Sequence, residues 1–249
     1  MSRYARAQSE SGYYHVVQVG AGRQVLFEDD SDRLKYVDIL RSAKTDFQFA
    51  LIAWCLMSNH VHLILKSDYE TLSKCMHAIG SKYASYFNYA KGHQGPVFQG
   101  RFYSEPVETD EHLLAAVRYV HNNPEKAGVS SRESYVWGSY RGYFGGTPIA
   151  DVDLVLEMIG GRAAFAEFSK LDDSFESSID EDKMMRGRLN DDEAAQLGAQ
   201  IASPIALAEL KGIDVRKRNE IVRRMKSAGI QGKQIQRLTG LGLSTISRA

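Results

Sequence analysis

The sequence predicts an α+β fold: a mostly antiparallel sheet with helices packed against it, followed by a separate helical extension. Three observations predict it. Segments with strand and helix periodicity follow one another as strand, helix, strand, strand, helix, strand, helix up to Asn122. Two of those strands are joined by the short turn Ser58-Asn59, which makes them a hairpin. Charge, zero in total, is segregated along the chain. Residues 1–148 hold 16 Lys+Arg against 15 Asp+Glu, residues 149–215 hold 6 against 15, and residues 216–249 hold 9 against 1. The net charges of +1, −9 and +8 divide the 249 residues into a sheet domain, an acidic helical connector and a basic tail.

Each element has its own signal. Tyr13 to Val19 is β-branched and aromatic between Gly12 and Gly20, a strand, and Gly20 to Gln24 is a loop. Asp30 or Ser31 is placed to cap a helix running through Leu34, Val37, Ile39 and Leu40 to about Thr45. Phe47 to Met57 is apolar on both alternating faces, as in a central strand, and His60 to Lys66 returns beside it. Leu72, Met76, Ile79, Tyr83 and Phe87 set a helical period over Glu70 to Ala90. A glycine-rich loop leads to a strand at Phe102 to Val107. Asp110 then caps a helix expected to stop at Asn122, because the residue before Pro124 is biased away from helical angles. In the connector, Val152 to Met158 and Arg162 to Leu171 read as helices ahead of a stretch rich in Asp, Glu and Ser. The tail resolves into Arg216 to Ser227, Gly232 to Thr239 and a helix from Ser244 onward, the spacing of a helix-turn-helix.

Composition narrows the function. Cys55 and Cys75 are the only cysteines and have no metal-type spacing, which argues against a disulfide framework or a zinc knuckle. No apolar run is long enough to span a bilayer and the N-terminus does not open a signal peptide, so a cytoplasmic, nucleoid-associated protein without membrane contact is expected. The basic tail reads as a nucleic-acid contact; the alternative is that it salt-bridges to the acidic segment before it.

The candidate chemistry lies in two motifs. His60 and His62 occupy positions i and i+2 of a strand, so both imidazoles face one side and can ligate one metal ion; a turn-surface residue paired with a core residue is the plainer alternative. On the helix before Pro124, Leu113, Val117 and Val120 form the sheet-facing stripe, while Tyr119 and Asn123 share an adjacent stripe with Ala115 and Ala116. Tyrosine outside the apolar stripe favours a reactive or polar role, and Asn123 can bring a carbonyl oxygen to a metal held by the histidines.

At these residues the chain resembles the single-tyrosine transposases of the His-hydrophobic-His superfamily, most closely the REP-associated branch. The matching features are Tyr14-His15-Val16 with the Gly22-Arg23-Gln24 loop, Cys55 to Leu63, and Phe98-Gln99-Gly100-Arg101-Phe102. They continue with Tyr119-x-x-x-Asn123-Pro124-x-x-Ala127-Gly128 and Trp137 to Tyr143, over about Tyr13 to Gly145. The resemblance implies a ferredoxin-like sheet that binds and cleaves single-stranded or hairpin DNA, including repetitive palindromic elements. His60 and His62 carry over as metal ligands, Tyr119 as nucleophile and Asn123 as third ligand, although insertion-sequence relatives usually have glutamine there. A divalent ion, Mg2+ or Mn2+, polarises the scissile phosphate, and tyrosine attack leaves a 5′-phosphotyrosine and a free 3′-hydroxyl.

Candidate DNA contacts are His15, Arg23, Gln24, Gln99 and Arg101 in the first domain, with Gln234, Ser244, Thr245, Ser247 and Arg248 reaching duplex DNA from the tail. Monomer and homodimer are both compatible with the resemblance. Two other readings stay open: a domesticated DNA-binding regulator without cleavage, and a metal-dependent hydrolase of small phosphoesters.

Overall fold

In the computed structural model, residues 6–146, 148–171, 175, 177 and 191–248 are described. The acidic, serine-rich part of the connector lies almost wholly outside them. The chain divides into two compact units, Met1–Asp180 and Glu181–Ala249.

In the first unit, β1 (Tyr13–Val19), α1 (Asp30–Phe47), β2 (Ala50–Leu56), β3 (His60–Lys66), α2 (Tyr69–Lys91), β4 (Tyr103–Val107) and α3 (Asp110–Lys126) follow in order. The four strands form one sheet in the order β2-β3-β1-β4, and every neighbouring pair is antiparallel. A β-α-β-β-α-β chain wound this way is the ferredoxin-like arrangement. Strands β1 and β3 are buried along nearly their whole length, although β1 carries His15 and Gln18 and β3 carries His60 and His62. Leu113, Val117 and Val120 of α3 are buried in the core as the helical wheel predicts, each burial stabilising the fold by roughly 1.5–3 kcal/mol.

Helix ends depart from expectation in three places. The cap of α1 is Asp29, whose carboxylate accepts from the Asp32 amide while the Asp32 side chain reciprocates, so the capping box starts one residue early. For α3 the cap is Thr109 rather than Asp110. That helix also passes through Pro124 to Lys126. Proline falls in its last turn, where one missing amide hydrogen bond costs least, and Ala127 N–H closes the end on Asn123 O.

The expected connector is divided between the units. Helices α4 (Asp153–Ile159) and α5 (Arg162–Lys170) contribute Val155, Leu156, Phe165 and Phe168 to the sheet domain's core. In the second unit, α6 (Asp191–Ala202) shares a core with α7 (Val215–Ser227), α8 (Gly232–Thr239) and α9 (Leu243–Arg248) through Ala194, Val222, Met225, Ile235 and Ile246. Gly240, in the left-handed conformation at φ +67°, ends α8 and lets the chain turn into α9 after three residues.

Candidate active site

Strand register builds the site. His62 lies opposite Val17, and Ile64 opposite His15, so His60, His62 and His15 point to one face of the sheet. On the other side of β1, Glu105 lies directly opposite His15 and joins them. Helix α3 packs against β2, β3 and β4, and it brings Tyr119 over these side chains.

The histidine rings of β3 stand at 82° with centroids 4.8 Å apart. The Tyr119 ring meets His62 edge-on at 5.9 Å and His15 at 5.6 Å. Tyr119 is half-buried, whereas Arg118 and Val120 beside it are buried. Asn123 sits one turn on, and its Nδ2 donates to Tyr119 O at 3.0 Å, which fixes the amide and leaves Oδ1 as its carbonyl donor. Lys126 Nζ stands 4.4 Å from the Tyr119 ring centroid, a cation over the π face. Phe175 packs on the Tyr119 ring at 5.1 Å.

Burial pushes the His60 imidazole down to about 4. His62 is held well below its ordinary value, first by burial and then by the nearby His60, His15 and Lys126. Both rings are therefore neutral at physiological pH and have no proton to lose before ligating a cation. The Nδ1 atoms are engaged within the protein, that of His60 with Asn59 Oδ1 at 2.8 Å and that of His62 with His15 Nε2 at 3.1 Å. Two neutral imidazoles on one face of a strand have the donor chemistry for a divalent cation that completes its shell with oxygen ligands. Among the described residues no group of three or more His, Cys, Asp or Glu is placed to hold a metal.

The other candidates are distributed differently. His15 is fully buried, between Glu105 and His62, and offers no surface to DNA; its expected role as a DNA contact is corrected on that ground. Gln24 spends its amide on Val97 O at 2.6 Å, tying its loop to the one before β4. Backbone bonds from Ala21 to Val97 and from Gln99 to Val19 join the same two loops. The shared rim carries the exposed Arg23 and Arg101 with the half-buried Gln99. In the tail, Gln234 is buried and its Oε1 accepts from Gln231 N–H at the start of α8, a capping position rather than a DNA-facing one. Ser244, Ser247 and Arg248 are exposed on α9, and Thr245 is half-buried.

Glu105, Asn59 and Lys126 are site residues that sequence reasoning did not single out. Glu105 had a signal, an acid at an inward position of an otherwise apolar alternation, but only the register of β4 places it on His15. Lys126 is seven residues beyond Tyr119 and thus on the same helical face, a relation hidden by the expectation that Pro124 ends the helix.

The first unit is thus a ferredoxin-like sheet with a His-x-His strand beneath a helix-borne tyrosine. Residues 8–123 match the family model described as "Transposase IS200 like", a family of DNA-cleaving enzymes. A solved structure of a REP-associated tyrosine transposase bound to a REP hairpin shares the fold at 19% identity, with TM-score 0.50 over 60% of this chain and 90% of that one. A putative transposase from Deinococcus radiodurans R1 is similar at 18% identity and TM-score 0.34, over 53% of this chain and 98% of that one. Among curated proteins, none matches the chain.

Proposed function

We propose that the first unit nicks and rejoins single-stranded or hairpin DNA, with Tyr119 as nucleophile and His60, His62 and Asn123 as the donors for Mg2+ or Mn2+. The observation that carries this reading is the half-exposed Tyr119 ring lying against His62 while its α3 neighbours are buried. When bound, the ion supplies charge neutralisation at the scissile phosphate. His60 and His62 hold it from β3, and Asn123, pinned through its Nδ2, offers Oδ1 from α3. Tyr119 Oη attacks phosphorus and loses its proton, and the P–O3′ bond breaks to give a 3′-hydroxyl. Lys126, above the ring, favours the electron-rich phenolate that attack requires.

Arg23, Gln99 and Arg101 supply phosphate and base contacts along the rim of the joined loops. The similar REP-associated enzyme is bound to a REP hairpin, which supports a palindromic hairpin as substrate here. In the second unit, α8 and α9 act as a helix-turn-helix, with Ser244, Thr245, Ser247 and Arg248 of α9 facing the major groove of duplex DNA. Such a protein works in the cytoplasm at the nucleoid, as monomer or homodimer; among the described residues no helix is long and apolar enough to cross a membrane.

The test is the polarity of cleavage. With hairpin DNA labelled on either side of the nick and Mn2+ present, label 3′ of the break stays on the protein and label 5′ of it leaves in a strand ending in 3′-hydroxyl. Release of both fragments free of protein would instead indicate water as nucleophile.

A further inference from the structure

We propose that Glu105 and His15 are positioning residues that fix the ring tautomer of His62, so that His62 presents Nε2 to a divalent cation. The proposal rests on the metal-ligand reading of His60 and His62 given above and extends it to two residues outside the ligand set.

The geometry is a three-member chain across three strands. Glu105 Oε1 lies 2.7 Å from His15 Nδ1, and His15 Nε2 lies 3.1 Å from His62 Nδ1. The two imidazole planes are within 7° of parallel with centroids 5.4 Å apart. With ring nitrogens that close, these rings lie edge to edge rather than face to face, and an N–H of one aims along the lone pair of the other.

Donor and acceptor roles then follow in sequence. Glu105 Oε1 also receives the Ser177 hydroxyl at 2.6 Å, so that oxygen serves as an acceptor. His15 Nδ1–H therefore donates to it. In the proposed relay His15 carries its one N–H on Nδ1, so its Nε2 accepts and the proton between the rings belongs to His62 Nδ1. The lone pair of His62 is thereby placed on Nε2.

His60 reaches the same tautomer by a different device, because Asn59 Oδ1, 2.8 Å from His60 Nδ1, can only accept. Two unrelated partners thus give both strand histidines the same ligating nitrogen. A buried carboxyl group is costly to desolvate, and well-packed apolar residues would serve a purely structural purpose as well or better. Carboxylate-to-imidazole chains behind metal-binding histidines raise ligand basicity and fix ring orientation.

The experiment combines a spectrum and a titration on the full chain. Imidazole nitrogen-15 shifts in the wild-type protein at neutral pH, with His62 assigned by comparison with His62→Gln, should show His62 protonated on Nδ1 and unprotonated on Nε2. Glu105→Ala, with circular dichroism unchanged, should bind Mn2+ about 10- to 100-fold more weakly in calorimetry. A wild-type His62 protonated on Nε2 overturns the proposal, and so does wild-type Mn2+ affinity in folded Glu105→Ala. Because the tautomer is read on the wild type, a Glu105→Ala chain that fails to fold leaves the proposal exposed to refutation. Absence of Mn2+ binding to the wild type would overturn the metal reading itself, and with it the relay's purpose, even where the tautomer is as stated.

Discussion

Burial keeps His60 and His62 neutral, and it does the same to His121 on the inner side of α3. His121 is pushed down to about 3, chiefly by burial and secondarily by Arg132, and its Nε2 pairs with Ser139 Oγ at 2.8 Å. The unfolded chain takes up a proton at this residue near 6.5 and the native chain does not, so acid favours unfolding. Its contribution is fully present above pH 6.5 and is lost as pH falls towards 3, at up to about 1.4 kcal/mol per pH unit. His121→Gln keeps a polar partner for Ser139 without titrating. Its denaturation midpoint should therefore fall less steeply than that of the wild type between pH 6.5 and pH 4.5, and parallel curves would refute the assignment. Chelation gives a second residue-scale expectation: EDTA should abolish cleavage, and Mn2+ should restore it to the wild type but not to His60→Ala, as a cleavage assay on hairpin DNA would show.

At the scale of elements, the close approach of two loops to the start of β3 is the most sensitive feature. A Cβ on Gly20 would sit 2.4 Å from Gln24 O and 3.3 Å from Asn59 O, both backbone atoms. Gly20→Ala must therefore push the 20–24 loop away from the turn that precedes His60, at an expected cost of about 1–3 kcal/mol in urea unfolding. Hairpin affinity, measured by fluorescence anisotropy, should fall with it; unchanged stability and affinity would show the loop to be slack. The same elements show what a sequence reveals. All four strands and the three sheet-packing helices were legible, because period-2 and period-3.6 apolar patterns report burial directly. His60 and His62 were legible as candidates from their i, i+2 spacing, and Tyr119 from its place outside the apolar stripe. His15 was assigned to DNA instead, since its burial depends on the register of β4. Helix ends were misjudged at Asp29, Thr109 and Pro124, where a local hydrogen bond or position within the last turn decides the outcome.

For the whole molecule, charge segregation predicted a basic C-terminal piece, and the second unit is a helical body with its own apolar core. The boundary differs because packing rather than charge defines a unit: Val155 and Phe165 belong to the sheet domain's core, and Ala194 to that of the tail helices. Ser244 and Arg248, exposed and one turn apart on α9, give the expected duplex contact a direct check. Replacing both with alanine should weaken duplex binding and leave hairpin cleavage intact. The slope of log affinity against log salt should become shallower by about 0.9 for each phosphate that the variant no longer neutralises. An unchanged salt slope would place the duplex-binding surface elsewhere.

As the proposed nucleophile of a cation-dependent DNA-cleaving site, Tyr119 should become covalently joined to DNA. Incubating the full chain with labelled palindromic hairpin DNA and Mn2+, then separating products under denaturing conditions, measures it directly. The predicted result is a covalent protein–DNA band in the wild type that is absent from folded Tyr119→Phe. A band of equal intensity in Tyr119→Phe, or none in the wild type with hairpins from the DNA flanking its own coding region, would contradict it.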